Sequence, residues 1–169
     1  MHKALGVILL SVGCVYYIYM LIKERKSKLQ NLKEIKKAIV FLKNELSFNM
    51  TEIADLCEIT SSKTEGEISQ IFADTAKNLR KDTNIDFYDS WKKAQKNREL
   101  FNVEANDILK GFFGDFGKKS LEIELSNIER VLTSLEEKEK SEEKKYAEER
   151  KLICTLGVAF CATIVIIAI

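Results

Sequence analysis

The sequence contains no proline in 169 residues, and this absence constrains the fold more than any other feature. Proline breaks helix interiors because it lacks a backbone donor and clashes with the preceding turn, so its absence permits long, uninterrupted helices. No stretch combines strict period-two alternation, β-branched residues and a hairpin turn. We therefore expect an all-α chain containing a bundle of about six helices, of which the first and last are long.

Charge divides the chain into two apolar ends and a polar middle. Residues 4–22 carry no charge across nineteen positions, and residues 152–169 carry none across eighteen. As helices they would be roughly 27–29 Å long, about the thickness of the hydrocarbon core of a bilayer. We predict an N-terminal transmembrane helix at 1–22 and a C-terminal transmembrane helix at 152–169.

A signal peptide or a lipoprotein leader is an alternative interpretation of the first segment. The start is short and positive, and Cys14 follows a glycine as in a lipoprotein leader. However, residues 16–22 stay apolar beyond both cleavage points, and no polar mature start follows. A retained transmembrane helix is the favoured interpretation.

The middle of the chain, residues 23–151, contains 26 basic and 26 acidic residues and is therefore neutral. A neutral domain lacks the basic face that nucleic acid requires, so nucleic acid is not an expected partner. Many lysines and arginines follow the first predicted span and precede the second, whereas only Lys3 lies outside them. The positive-inside rule then predicts that the middle faces the cytoplasm.

Apolar residues at three- and four-residue spacing predict a helical bundle at 23–135. We expect Thr51 to cap the second helix, Asp86 to cap the fourth and Asn102 to begin the fifth. A polar break is expected at residues 61–66.

The apolar stripe of the last helix ends at Leu135, and residues 136–151 are polar on nearly every side. Oppositely charged residues four apart, such as Glu136 and Lys140, stabilise such a helix. We predict a solvated helical stalk at 136–151; a flexible charged linker is the alternative.

The residue types offer little for catalysis or for metal binding. His2 is the single histidine and lies at a terminus, and the four cysteines do not suggest a disulfide framework. We therefore expect no catalytic residue, no metal, no cofactor and no small-molecule substrate. An enzyme would need a serine, lysine or carboxylate centre, whereas the dispersed acidic residues resemble solvated helix faces.

The sequence GFFGDFGKKS at residues 111–120 raises the question of a phosphate-binding loop. Such a loop follows a strand and has the spacing G-x-x-x-x-G-K-[ST], but a helix is predicted before Gly111 and the spacing differs. A nucleotide site is therefore not expected. We interpret residues 111–120, called the hinge segment below, as the connection between the fifth and last helices.

The glycines and lysines of the hinge segment have structural interpretations. Gly111 and Gly114 are expected to permit close approach of a neighbouring helix, and Gly117 is expected to end the fifth helix in a left-handed conformation. Lys118 and Lys119 then lie where the last carbonyl groups favour positive charge.

Trp91 is the only tryptophan. Tryptophan can anchor a protein partner, but a buried side chain that holds a short helix to the core is the favoured interpretation.

Several of these stretches occur together in one known family. They are Leu5-Gly6 in the first span, residues 41–48 (FLKNELSF) followed by Thr51 and Ile53, the Trp91 helix, the helix–glycine–helix hinge, and the charged helix before Leu156-Gly157-Val158. In this order, over nearly the whole chain, they resemble the stage III sporulation protein AB family. The sequence departs from the family at 118–121, where Ser-Asp often follows the hinge glycine, and at Cys161, where a glycine is common.

The resemblance implies a membrane complex, the channel between mother cell and forespore of endospore-forming bacteria. It implies a bundle similar to the inner-membrane platform proteins of type II secretion and type IV pilus machines. The expected partners are a secretion-type sporulation ATPase, other stage III channel subunits and membrane lipid. The expected location is the mother-cell membrane around the forespore, with the bundle in the mother-cell cytoplasm.

The expected function is thus a platform subunit that docks the ATPase and performs no chemistry. Candidate contact residues are Lys118, Lys119 and the turn at 84–87. The alternatives are a generic membrane-anchored helical scaffold and a two-span sensor. The basic flanks oppose a sensor domain outside the cell, and no output module is expected because the sequence ends at Ile169.

Overall fold

The structure is a computed structural model that describes residues 2–49, 51–82, 84–95 and 100–168. In chain order it contains six helices: α1 (His2–Asn49), α2 (Ile53–Lys63), α3 (Gly66–Lys81), α4 (Phe87–Gln95), α5 (Val103–Asp115) and α6 (Leu121–Ala168). These residues include no strand, so the predicted all-α class is confirmed. The first and last helices contain 48 residues each and are the longest, as predicted.

The chain divides into two units. One consists of residues 28–140, and the other consists of residues 1–27 together with 141–169. Helices α2 to α5 lie entirely within the first of these, and α1 and α6 contribute residues to both.

No helix in the described ranges is both long enough and apolar enough to cross a membrane. The spans predicted at 1–22 and 152–169 fall in part on positions outside the described side chains. Those positions are 1–11, 14, 158, 160–162 and 164–169.

In the unit formed by the two ends of the chain, α1 and α6 run antiparallel. Arg25 Nε lies 3.5 Å from Glu149 Oε2. A Cβ atom built on Gly157 would lie 2.7 Å from Ile18 Cδ1. Gly157 therefore allows the two helices to come closer than a larger residue would permit.

The hydrophobic core of residues 28–140 contains the predicted apolar stripes. Fully buried members come from α1, such as Ile35 and Leu42, from α3, such as Ile71, and from α6, such as Ile128 and Leu135. Helices α1 and α6 are antiparallel here as well, because Lys43 Nζ contacts Glu129 Oε1 at 2.8 Å and Lys36 pairs with Glu139 further along.

Aromatic rings hold the short helices together. Trp91 is only 4% exposed, and its ring centroid lies 4.5 Å from that of Phe113 and 5.1 Å from that of Phe72. The ring of Phe87 lies 5.0 Å from those of Phe113 and Phe116. The prediction of a buried Trp91 is therefore confirmed, and this aromatic cluster joins α3, α4, α5 and the residue that follows α5.

The predicted cap at Asp86 is confirmed, and Asn102, which was expected to begin the fifth helix, is the capping residue just before it. Asn102 Oδ1 accepts a hydrogen bond from the backbone N–H of Ala105 at 2.9 Å, at the start of α5. Asp86 Oδ1 accepts one from the N–H of Asp89 at 2.8 Å, at the start of α4. Both bonds satisfy a donor that a helix N-terminus otherwise leaves unpaired.

The prediction of Thr51 as a cap is wrong. Helix α2 begins at Ile53 and Glu52 is the capping position, with no side-chain cap bond. The predicted break at 61–66 is also too long, because α2 continues to Lys63. Ser62 Oγ donates to the carbonyl oxygen of Ile59 at 2.7 Å. This hydrogen bond lies within α2, so Ser62 is part of the helix and does not end it.

The predicted stalk is only partly solvated. The expected pair of Glu136 and Lys140 is present, at 2.9 Å. Lys138, in contrast, is buried and pairs with Glu104 of α5. Lys138 follows Leu135 by three residues on the same helix face, so the face that packs on the bundle extends past Leu135.

We expect the substitution Trp91→Ala to lower the free energy of unfolding by about 3–5 kcal/mol, because it leaves a cavity between α3, α4 and α5. Phe48→Ala is a suitable control, since Phe48 is 84% exposed, and a change within about 0.5 kcal/mol is expected. Denaturant unfolding of the full chain followed by far-ultraviolet circular dichroism measures both. Equal losses for the two variants would contradict the assignment of Trp91 to the core.

Candidate interaction site at the hinge segment

The hinge segment contains the end of α5, a short turn and the approach to α6. Helix α5 ends at Asp115, and Phe116 follows in an extended conformation. The N–H of Lys118 bonds to the carbonyl oxygen of Asp115 at 3.2 Å, which closes the turn. The carbonyl oxygen of Ser120 accepts from the N–H of Glu124 at 2.9 Å and begins the hydrogen-bond pattern of α6.

Gly117 has a φ of 80°, in the left-handed region, as predicted. A Cβ atom built on Gly117 would overlap Cδ1 of Ile53, the first residue of α2. The backbone N–H of Gly117 is occupied as well, because it donates to Glu124 Oε1 at 3.0 Å. Glycine is therefore required here both for the backbone conformation and for the contact with α2.

Gly111 and Gly114 do not have the predicted role. A Cβ atom built on either one would meet no described atom within 4 Å, so neither glycine is needed for close helix packing. The prediction of close approach is wrong at both positions because a methyl group at either one would extend into open space. The buried contacts of this part of α5 come instead from Phe112 and Phe113.

Lys118 connects the two regions that the sequence offered as contact candidates. Its Nζ donates to Asp86 Oδ2 at 2.9 Å and to the carbonyl oxygen of Gly114 at 2.8 Å. The second bond is the C-terminal interaction expected for a lysine after a helix. The first joins the hinge segment to the 84–87 turn, and the region that they form is called the hinge surface below. Lys118 and Asn84 are exposed in it, whereas Phe87 is buried in the core.

Two acidic residues next to the hinge turn, Asp86 and Asp115, each pair with a lysine. The pKa of Asp86 lies below its ordinary value, chiefly because of the hydrogen bond from the Asp89 N–H and then because of Lys118. The pKa of Asp115 is lowered by Lys119, whose Nζ lies 2.7 Å from Asp115 Oδ2. Both side chains are exposed or half-exposed and act as partners of the lysines.

Glu124 is a buried acid that sequence reasoning missed. It is 5% exposed, and burial raises the pKa of its carboxyl group despite the hydrogen bond from Gly117. Its Oε2 atom is buried and has no hydrogen-bond partner among the described atoms. The signal in the sequence was its position, since Glu124 precedes the buried Ile128 by four residues and shares its helix face.

A groove with a volume of about 310 Å³ lies between α5 and α6 beside the hinge turn. We call it the α5–α6 groove. It is lined by Asp107, Ile108, Gly111, Phe112, Asp115, Lys119, Glu124, Asn127, Arg130, Val131 and Ser134.

Two observations concern metal-ligating and nucleophilic side chains in the described part of the chain. Its residues include no group of three or more histidine, cysteine or acidic side chains that is suited to hold a metal ion. Cys57 is fully buried, and burial raises the pKa of its thiol to about 12. The thiolate is the nucleophilic form of cysteine, so Cys57 is inert at neutral pH.

These observations define an all-α bundle protein with an aromatic core and a charged hinge surface. The sequence profile described as stage III sporulation protein AB matches residues 3–169. The chain belongs to the stage III sporulation protein AB family, and membership implies a role in sporulation. This family is not a known enzyme family.

A solved structure has the same fold. It is described as stage III sporulation protein AB (SpoIIIAB) and superposes with a TM-score of 0.63 at 17% sequence identity. The match covers 72% of this chain and 97% of the other. A search of curated proteins found no match.

We expect Gly117→Ala to lower the free energy of unfolding by about 1–3 kcal/mol, because alanine strains the left-handed backbone and its methyl group overlaps Ile53. Gly114→Ala is the matched control, since its methyl group meets open space and alanine is the better helix former by about 0.5–1 kcal/mol. Thermal unfolding compares the two. Similar melting temperatures would show that the hinge turn does not need glycine at 117.

Two substitutions separate the contribution of Asp86 as a helix cap from its contribution as the charged partner of Lys118. Its folded pKa is lowered, so its stabilising effect is present above the pKa of the unfolded chain and is lost as the pH falls through the folded pKa. Asp86→Asn keeps a capping oxygen and removes the pair with Lys118; we expect a loss of about 0.2–1 kcal/mol at pH 7 that disappears in acid. Asp86→Ala should lose about 1 kcal/mol more at pH 7.

Denaturant unfolding of the full chain at pH 7 and at a pH below 3 measures these differences. A loss for Asp86→Asn of the same size at both pH values would mean that the charge of Asp86 contributes nothing.

Proposed function

We propose that this chain is a membrane platform subunit of the channel complex between mother cell and forespore. Its helical bundle docks a secretion-type sporulation ATPase and other stage III channel subunits, and it performs no chemistry itself. The family match over residues 3–169 is the observation that carries the proposal. The bundle at residues 28–140, with its inert thiol and its exposed hinge surface, is consistent with a docking block.

The membrane part of the proposal rests on the sequence. Residues 1–22 and 152–169 are transmembrane helices, because their charge-free runs are long enough to span a bilayer. The basic residues on the inner side of each run favour a bundle in the mother-cell cytoplasm. Alkaline extraction of membranes from sporulating cells tests the anchoring, and release of the chain into the soluble fraction would contradict it.

In this proposal the docking surface is the hinge segment together with the 84–87 turn. The ion pair of Lys118 with Asp86 fixes the hinge segment to the 84–87 turn, so a partner meets a preformed surface instead of two mobile loops. Lys118 and Lys119 are both exposed at its centre. Each lysine is paired with one aspartate of this chain, so the carboxylates of an acidic partner surface would compete with Asp86 and Asp115 for them.

The bundle is suited to a mechanical role. The aromatic cluster joins α3, α4 and α5 to the residue before the hinge turn, and packed cores of this kind move as blocks instead of deforming continuously. In the proposed complex the bundle holds the ATPase beneath the channel and passes its movement to the helices that enter the membrane. The charged segment at 136–151 connects the bundle to the second of these helices.

Capture of the ATPase by the tagged full chain, in detergent, tests the docking surface. We expect the double variant Lys118→Gln/Lys119→Gln to weaken capture at least tenfold, equivalent to about 1.4 kcal/mol. The matched control is Lys77→Gln/Lys81→Gln, which removes the same charge from two exposed positions of α3. The control should stay within about twofold of the original chain.

The two double variants must first be shown to unfold at similar denaturant concentrations. If both then capture the ATPase equally well, the hinge surface is not the docking site. If the unaltered chain captures no ATPase from sporulating cells, the platform proposal itself fails.

A further inference from the structure

We propose that the α5–α6 groove is a receptor site for a basic side chain, lysine or arginine, of a partner protein. The proposal rests on the geometry of the groove alone and does not depend on the identity of the ATPase or on membrane insertion. Its central residue is Glu124, which lines the groove and is nine-tenths buried.

Only one of the two carboxylate oxygens of Glu124 has a hydrogen-bond partner among the described atoms. Oε1 accepts the N–H of Gly117 at 3.0 Å, whereas Oε2 has no partner in the described part of the chain. Buried polar atoms are almost always hydrogen-bonded, so an unpaired carboxylate oxygen next to a groove points to a missing donor. Because Oε2 is covered, the donor reaches it once the carboxylate turns about its last side-chain bond, a torsion with a broad energy minimum.

Charge favours a cationic donor. Three carboxylates line the groove, from Asp107, Asp115 and Glu124, against two basic side chains. Both bases already have neighbours: Lys119 Nζ lies 2.7 Å from Asp115 Oδ2, and Arg130 Nη2 donates to Asn127 Oδ1 at 2.8 Å. Acceptor capacity remains on the carboxylates of Asp107, Asp115 and Glu124, and a charge-assisted hydrogen bond to a carboxylate is the strongest way to use it.

A metal ion is the poorer candidate. Hard cations require several oxygen ligands converging on one point. The side chains of the described residues form no group of three or more that is suited to hold a metal. A single ammonium or guanidinium group, in contrast, is satisfied by one carboxylate together with nearby hydroxyl and amide oxygens.

The apolar part of the lining fits the stem of such a side chain. Ile108, Phe112 and Val131 line the groove together with the bare backbone of Gly111. Lysine and arginine cover apolar surface with their methylene groups while the charged end seeks a polar partner. A volume of about 310 Å³ accommodates a side chain but is small for a cofactor.

Titration of the isotope-labelled full chain in detergent, followed by backbone amide NMR, tests the site. The probes are N-acetyl-arginine amide and N-acetyl-lysine amide, with N-acetyl-citrulline amide as the uncharged control of similar shape. We expect the two charged probes to produce saturable shifts at the Gly117 amide and at residues 124–131, with citrulline bound at least tenfold more weakly. Equal binding of citrulline, or no saturable shift, overturns the proposal.

Two pairs of variants test whether the probes bind in the α5–α6 groove. Glu124→Gln keeps an oxygen acceptor for Gly117 but loses the charge, and it should weaken the charged probes at least tenfold, whereas the exposed Glu122→Gln should change binding less than twofold. Gly111→Leu should fill the groove and block the probes, whereas Gly114→Leu places the same side chain outside the lining.

Unfolding followed by circular dichroism establishes whether each variant is folded. If Glu124→Gln does not fold, the comparison of Gly111→Leu with Gly114→Leu still tests the proposal. Unchanged probe binding in a folded Glu124→Gln or Gly111→Leu variant overturns the proposal. Equal weakening by both members of a pair overturns it as well, because the effect would then not be specific to the groove.

Discussion

The packing of Trp91 against Phe72 and Phe113 is the interaction on which the rest of residues 28–140 depends. Helix α4 has nine residues and α2 has eleven, and helices this short are marginal in water unless tertiary contacts hold them. Phe116 belongs to the same cluster and directly precedes Gly117, whose backbone is left-handed. The geometry of the hinge segment is therefore fixed by the core, and the surface formed by Lys118 and the 84–87 turn follows from it.

Much of this fold was predictable from local sequence signals. The cap at Asp86, the helix start at Asn102 and the left-handed Gly117 follow from the preferences of single residues and their near neighbours in the sequence. The burial of Trp91 follows from its large apolar ring in a short helix. The prediction that Thr51 caps α2 failed because a helix can begin without a side-chain cap. Glu52 occupies the capping position and makes no such bond. The prediction of close helix packing at Gly111 and Gly114 failed because a glycine in the sequence does not show whether any neighbouring helix lies close to it.

The candidate site was less predictable because it depends on charged residues at core positions. Glu124 and Lys138 lie on the same face of α6 as the buried Ile128 and Leu135, and a search for apolar stripes passes over them. Lys138 is compensated by Glu104, a residue 34 positions away in the sequence, so its partner follows only from the tertiary structure. The groove likewise requires two helices whose pairing the periodicity of either one does not determine.

Ile53 and Gly117 give the bundle a built-in reporter. The Cδ1 methyl group of Ile53, at the first position of α2, lies directly against the backbone of Gly117. A methyl label on this isoleucine places a spectroscopic probe at the turn without altering any residue of the turn or of the exposed lysines. Occupation of either neighbouring surface is then expected to change the signal of this half-buried methyl group.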